Sequence, residues 1–157
     1  MKLLDILSAV AVVDFTTIVL SKFFNLGKSL DKWYAKFGMT AVLSDCLIIV
    51  LGIQLAQLLA PAAGWYQLML MAMAIQIFHD IWFYYAVVVP VPRGHNEMID
   101  LFKEYASENS WKIVVADSAM IVSTVGLAEI LSKVDENLVV FVGLLATYAL
   151  SYIVYTK

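Results

Sequence analysis

Four aspartates, Asp14, Asp45, Asp80 and Asp117, each interrupt a run of mainly apolar residues. A charged Asp at the centre of a bilayer costs roughly 2.5–3.5 kcal/mol on insertion scales. Four of them are tolerated only if they face one another, water or a cation. Their helical neighbours suit inward placement. Asp14 shares a face with Ala11, Thr17, Ile18 and Ser21, and Asp45 shares one with Gly38, Ala41, Gly52 and Ala56, small residues that let membrane helices approach. Gln76, Asp80 and Tyr84 follow i, i+4, i+8 spacing with His79 beside Asp80, and Asp117 lies with Ile121, Thr124 and Ala128. Three chemistries fit this pattern. The carboxyls can be protonated, or hydrogen-bonded to Thr17, Ser44, Gln76 and Tyr84, and so join helices. They can line a path for protons or metal cations, together with Gln76, His79 and Tyr84. Or Asp45, His79, Asp80 and Asp117 can ligate a divalent metal cation, for binding or for hydrolysis, because carboxylate and imidazole suit such ions.

The elements that position these groups follow from composition. The chain has 157 residues, 62% of them hydrophobic and 15% charged, with mean hydropathy +0.85. A soluble domain averages about 45–50% apolar and about 25% charged residues, so lipid is the solvent that resolves the excess. A net charge of -3 supplies no basic field for nucleic acid. Cys46, the single cysteine, excludes an internal disulfide and cysteine-pair redox chemistry. The N-terminus has a thin basic region and Asp14 inside its apolar stretch, which fits a first span better than a signal peptide.

Five segments have the length a spanning helix needs: Leu3–Phe24, Met39–Leu59, Trp65–Val91, Lys112–Leu131 and Asn137–Tyr155. The expected fold is an all-α polytopic membrane bundle in one domain. Short links at Pro61–Gly64 and Lys133–Glu136 make hairpins, whereas Leu30–Phe37 and Met98–Tyr105 are amphipathic and suit interfacial helices. Lys28, Lys32, Lys36, Arg93 and Lys103 fall on the long connections, with Lys22 and Lys112 at their margins, against Lys2 and Lys133 opposite. The positive-inside rule then sets the N-terminus outside and the C-terminus in the cytoplasm, with Trp33 and Trp111 at the inner interface and Trp65 at the outer.

The second and fourth of these spans resemble each other. Asp45–Val50 and Leu55–Leu59 align without gaps onto Asp117–Val122 and Leu127–Leu131; Asp14 corresponds to Asp80, and Tyr34-Ala35 to Tyr105-Ala106. Two parallel units, about 3–60 and 65–132, are expected around an axis along the membrane normal, with an extra helix at 137–155. That arrangement would pair Asp45 with Asp117 and Asp14 with Asp80, the second pair deeper in the bilayer.

Other motifs carry less. Ser123–Leu127 resembles a potassium filter, but Ala128 replaces the second Gly and no pore helix precedes it. The Met69, Met71 and Met73 run suits core packing, and Trp82–Tyr85 is helix-facing bulk. No catalytic signature is present. Arg93 and His95, in the Pro90–Asn96 break, are the candidates for a lipid headgroup phosphate. The stretch running from Pro92-Arg93-Gly94-His95-Asn96 through Ile99–Ala106 to Ala116–Met120 resembles small uncharacterised membrane proteins of large algal DNA viruses. The resemblance implies no catalytic residue and implies a component of a virion or host-derived membrane. The leading expectation is a small channel or transporter for protons or metal cations. A non-catalytic scaffold is the alternative, and a metal-dependent membrane enzyme the third. The expected partners are the bilayer and further copies of the chain.

Overall fold

The computed structural model describes residues 1–24 and 27–156, and every regular element among them is a helix. The helices are α1 (Leu3–Phe24), α2 (Lys28–Phe37), α3 (Met39–Leu59), α4 (Trp65–Phe83, extended by a π-turn over Tyr84–Val88), α5 (Glu97–Asn109), α6 (Lys112–Leu131) and α7 (Glu136–Ile153). α1, α3, α4 with its π-turn, α6 and α7 are long and apolar enough to cross a membrane, so the chain is a multi-pass membrane protein. The third span stops at Val88, short of the expected Val91. Pro90 has no N–H and would clash with the carbonyl four residues back; the helix widens first, with Val89 N–H donating to the Tyr84 carbonyl at 2.9 Å.

Local chemistry sets the other boundaries. Asn96 caps α5 through its side-chain oxygen, which accepts from Met98 N–H and Ile99 N–H at 2.9 and 3.1 Å. Asp135 caps α7 in the same way, accepting from Asn137 N–H at 3.0 Å. α2 borrows its cap from another helix: Glu108 of α5 accepts from Lys28 N–H and Ser29 N–H at 3.0 and 2.9 Å. A carboxylate suits the positive end of the helix dipole.

α1, α3, α4 and α6 form a ring in which α1 and α4 both pack on α3 and α6 and stand diagonally to each other. α7 lies outside the ring against α1. Its Gly143 admits Ser8 so closely that a Cβ there would collide, and Ser8 Oγ donates to the Val139 carbonyl at 3.1 Å. One apolar cluster centres on Ile6, Val10, Ile49, Ile53, Ile121 and Val125, and a second on Ile18, Trp33, Tyr34, Val42 and Leu150.

The spans alternate in direction. The Met1 carbonyl accepts from Gln57 and Lys2 pairs with Glu136 at 2.6 Å, which gathers the N-terminus, the end of α3 and the start of α7. Lys22 donates to the Thr156 carbonyl, and Gly38 lies against Tyr155, at the opposite end. α2 and α5 pack there antiparallel: Lys28 and Ser29 meet Glu108, Lys32 meets Glu104 at 2.8 Å, and Lys36 meets Glu97 at 3.2 Å.

Gly38 (φ 52°, ψ -130°) and Ser110 (φ 49°, ψ -128°) end α2 and α5, and their N–H groups donate to Tyr34 and Ala106 carbonyls at 2.9 Å. They are 72 positions apart, the spacing from Asp45 to Asp117. At that spacing Tyr105 answers to Trp33, not to Tyr34 as the Tyr-Ala match suggests. Positive φ suits Gly, while a side chain there costs about 1–3 kcal/mol. Ser110→Gly is therefore expected to stabilise the protein by about 1 kcal/mol. Gly38→Ala should destabilise it by at least about 1–3 kcal/mol, because the added Cβ would also stand 2.5 Å from the Tyr155 hydroxyl. Unfolding of the purified protein in mild detergent measures both, and a Ser110→Gly variant no more stable than the parent would contradict the strain.

Candidate functional site

The α2 segment is amphipathic, and its apolar side carries two hydrogen-bonding aromatics. Trp33 packs between Phe37 and Phe102 of α5, with centroids 5.0 and 4.9 Å away. Packing there aims the indole at the start of α3, and Nε1 donates to Asp45 Oδ2 at 3.1 Å. Tyr34 donates its hydroxyl to the same oxygen at 3.3 Å. Asp45 is thereby tied to α2 by two donors from residues that are themselves buried.

Asp14 on α1 is completely buried, and neither carboxyl oxygen has a hydrogen-bond partner among the described residues. The Cys46 thiol and the Asp45 carboxyl of α3 lie within its electrostatic range. Across the ring, Gln76 Nε2 donates to Asp80 Oδ1 at 2.7 Å and His79 Nδ1 stands 3.2 Å from the same oxygen. Asp80 Oδ2 has no donor, and its carboxyl is within hydrogen-bonding reach of Asp117 on α6. Gln76 Oε1 faces Gly52 of α3, where an added Cβ would stand at an ordinary contact distance of 3.9 Å. His79 stacks on Phe83 at 5.6 Å, and Phe83 meets Phe102 edge-on at 5.9 Å, a line of rings from α5 to Asp80.

Asp80 lies against Asp117, and Asp45 lies within electrostatic range of both Asp14 and Asp117, whereas the expected Asp14–Asp80 pairing is not met. Asp14 and Asp80 belong to helices on the diagonal of the ring, so each turns to the acid of an adjacent helix instead. Of the expected hydrogen-bond partners, Gln76 alone serves a carboxyl. Thr17 donates to its own Val13 carbonyl, Ser44 is exposed, and Tyr84 opens the π-turn 38% exposed, against Tyr85. Trp33, Tyr34 and Cys46 contribute instead. Their signal in the sequence was an amphipathic stretch with two adjacent aromatics, one helical turn before the chain folds back at Gly38.

Among the described residues no three His, Cys, Asp or Glu side chains come together to hold a metal ion. The expected set of Asp45, His79, Asp80 and Asp117 is therefore not gathered into a metal site. Arg93 and His95 are exposed, and their side chains make no hydrogen bond or ion pair among the described residues. Gly94, between them, donates its N–H to Asp100 at 2.8 Å. The chemistry available inside the ring is that of carboxyls, one imidazole and one thiol, all proton-exchanging groups.

The helix pair that closes this end titrates. Hydrogen bonding and charge from Lys32 hold Glu104 below the usual carboxylate range, and Ser29 with Lys28 does the same for Glu108. Burial, then the nearby Asp45 charge, pushes the Tyr34 phenol up, and burial with the Asp117 charge does so for Tyr105. For a depressed carboxyl the stabilisation is present above its unfolded value of 4.5 and is lost as pH falls through the lower folded value. For a raised phenol the folded state is opposed once pH climbs past its unfolded value of 10.0. Protection of the α2 and α5 amides, taken relative to their intrinsic exchange rates, is therefore expected to be greatest between these limits and to fall on both sides. The acid limb should be mild, since these glutamates are exposed and screened by salt. An exchange rate in α2 and α5 that follows only the intrinsic pH dependence of free amides would count against the pairing. Compared with family models, curated proteins and solved structures, the chain matches none.

Proposed function

We propose that the protein moves protons through the membrane by way of its intramembrane carboxyls. The observation that carries this reading is a chain of acids across the packed helices: Asp80 bonded to Gln76 and His79 and lying against Asp117, Asp45 in electrostatic range of Asp117 and Asp14, and Asp14 buried with no partner among the described residues. Intramembrane ionisable groups that face one another and an imidazole are the usual material of proton relays. Carboxyls that share a proton pass it on without moving a heavy atom far. A proton suits the donor set better than a metal cation, which needs more converging oxygen or nitrogen ligands than the ring offers.

A second reading has one observation in its favour. Asp45 accepts from both Trp33 and Tyr34 and fastens α2 to α3, which is what a carboxyl in a non-catalytic scaffold would do. The two readings part at Asp14 and Asp80, whose free oxygens have no such task.

For orientation, Lys22, Lys28, Lys32, Lys36, Arg93, Lys103 and Lys112 lie at the α2–α5 end, and Lys2 and Lys133 at the other. That asymmetry supports a cytoplasmic α2–α5 end with the C-terminus inside and the N-terminus outside. Single cysteines replacing exposed Asp31 and Ser107 should then react with an impermeant reagent only from the cytoplasmic side, and those replacing Ala62 and Ser132 only from the other. Labelling of the Ala62 and Ser107 positions from one side would rule out five alternating spans.

Proton movement is tested in liposomes holding a pH-sensitive dye. The protein should dissipate an imposed pH gradient faster than empty vesicles, and Asp14→Asn combined with Asp80→Asn should return the rate to background while the helical content stays unchanged. Wild-type protein that leaks no more than empty liposomes, over a range of pH and counter-cations, would defeat the transport reading and leave the scaffold.

A further inference from the structure

We infer that Asp14 is the carboxyl that takes up the proton, and that it is reached from the α2–α5 end along a hydrated seam formed by Ser21, Tyr34 and Asp45. The inference rests on the proton reading above and names the entry route of that site. Buried polar atoms are nearly always hydrogen-bonded, and each exception needs a cause. On α1 three such exceptions share one face: both Asp14 oxygens and Ser21 Oγ have no partner among the described residues, with Asp14 0% and Ser21 1% exposed. Seven residues separate them, two helical turns or about 10 Å along the axis, with Ser21 nearer the α2–α5 end. Asp45 and Cys46 come from α3 and the Tyr34 hydroxyl from α2, beside Asp14. Small buried residues, Ala11 and Ala41, lie in the same cluster. Water is the ligand such a seam takes, because a buried carboxyl and a buried hydroxyl each need hydrogen-bond partners that the described side chains do not supply.

The other half of the ring makes the point by contrast. Asp80 has Gln76 four residues before it and His79 one before, and both bind its carboxyl. At the same two offsets Asp14 has Val10 and Val13. The protein thus gives one oxygen of Asp80 two side-chain partners and gives neither oxygen of Asp14 any among the described residues. In the uptake step a hydronium ion in the seam gives one proton to a carboxylate oxygen of Asp14; the carboxylate becomes the neutral acid and the ion becomes water, with charge and atoms conserved.

Infrared spectroscopy of the whole protein in lipid vesicles tests this independently of transport. A protonated-carboxyl stretch that disappears in Asp14→Asn should shift promptly on transfer to D2O. The shift should be several-fold slower in Ser21→Val and in Tyr34→Phe, slowed less in Ser21→Ala, which removes the hydroxyl but keeps the room, and unchanged in Ser44→Ala on the exposed face of α3. Failure to find an Asp14-dependent band, a band that does not exchange within hours, or exchange indifferent to both Ser21 substitutions and to Tyr34→Phe would overturn the inference. Prompt exchange slowed by these substitutions, without any flux in liposomes, would keep the seam and remove the transport reading. Flux that survives Asp14→Asn would keep transport and remove Asp14 as its acceptor.

Discussion

A carboxyl on a lipid-spanning helix has to face protein, and that requirement fixes how four helices are turned about their own axes. The spans are apolar on every side, so hydrophobicity alone leaves their rotation nearly free; between helices in lipid there is no hydrophobic drive to bury one face in preference to another. Asp14, Asp45, Asp80 and Asp117 remove that freedom. Each points into the ring, and the small or polar residues that share its face follow: Gly52 opposite Gln76, and Ala41 and Ala11 near Asp14. The closeness of the helices is a result of where the acids must go.

The pair α2–α5 depends on the same acids from outside. Without Asp45 the indole N–H of Trp33 would be a buried donor with nothing to accept it, and such orphans cost about 1–3 kcal/mol. The ion pairs along the pair are exposed and each contributes little, about 0–1 kcal/mol by the usual measure. Direction and register are what they supply: two ion pairs and the Glu108 cap, in antiparallel order, allow one alignment. The apolar contacts of Trp33 with Phe37 and Phe102 provide the attachment, and Asp45 provides the anchor point.

Most of the architecture was legible in the sequence because its signals are long. Twenty apolar residues are hard to mistake, and four of the five spans end within two residues of expectation; the third stops three short because the proline widens the helix before it breaks it. The carboxyls, Gln76 and His79 were legible as well, since a polar residue in an apolar run stands out. Their partners were not. Whether Asp14 meets Asp80 or Asp45 depends on which helices are neighbours in the ring, and no periodicity within a single span encodes that. Trp33 read as an interfacial aromatic, and its Nε1 gained a role only once the turn at Gly38 brought α2 back over α3. Tyr84 fitted the seam by spacing and left it where the helix widened.

The seat of α7 on α1 has a consequence for how the chain is made. α1 is made before the other helices described here, yet its most extensive neighbour among them is α7, and Lys2 closes on Glu136 across a separation of 134 residues. Contacts between distant parts of a chain form late, because the loop between them must first be closed. Through most of synthesis, then, the outer flank of α1 with Ser8 is in lipid or held by the insertion machinery. α1 gains this neighbour only when α7 arrives and takes the place of that temporary company.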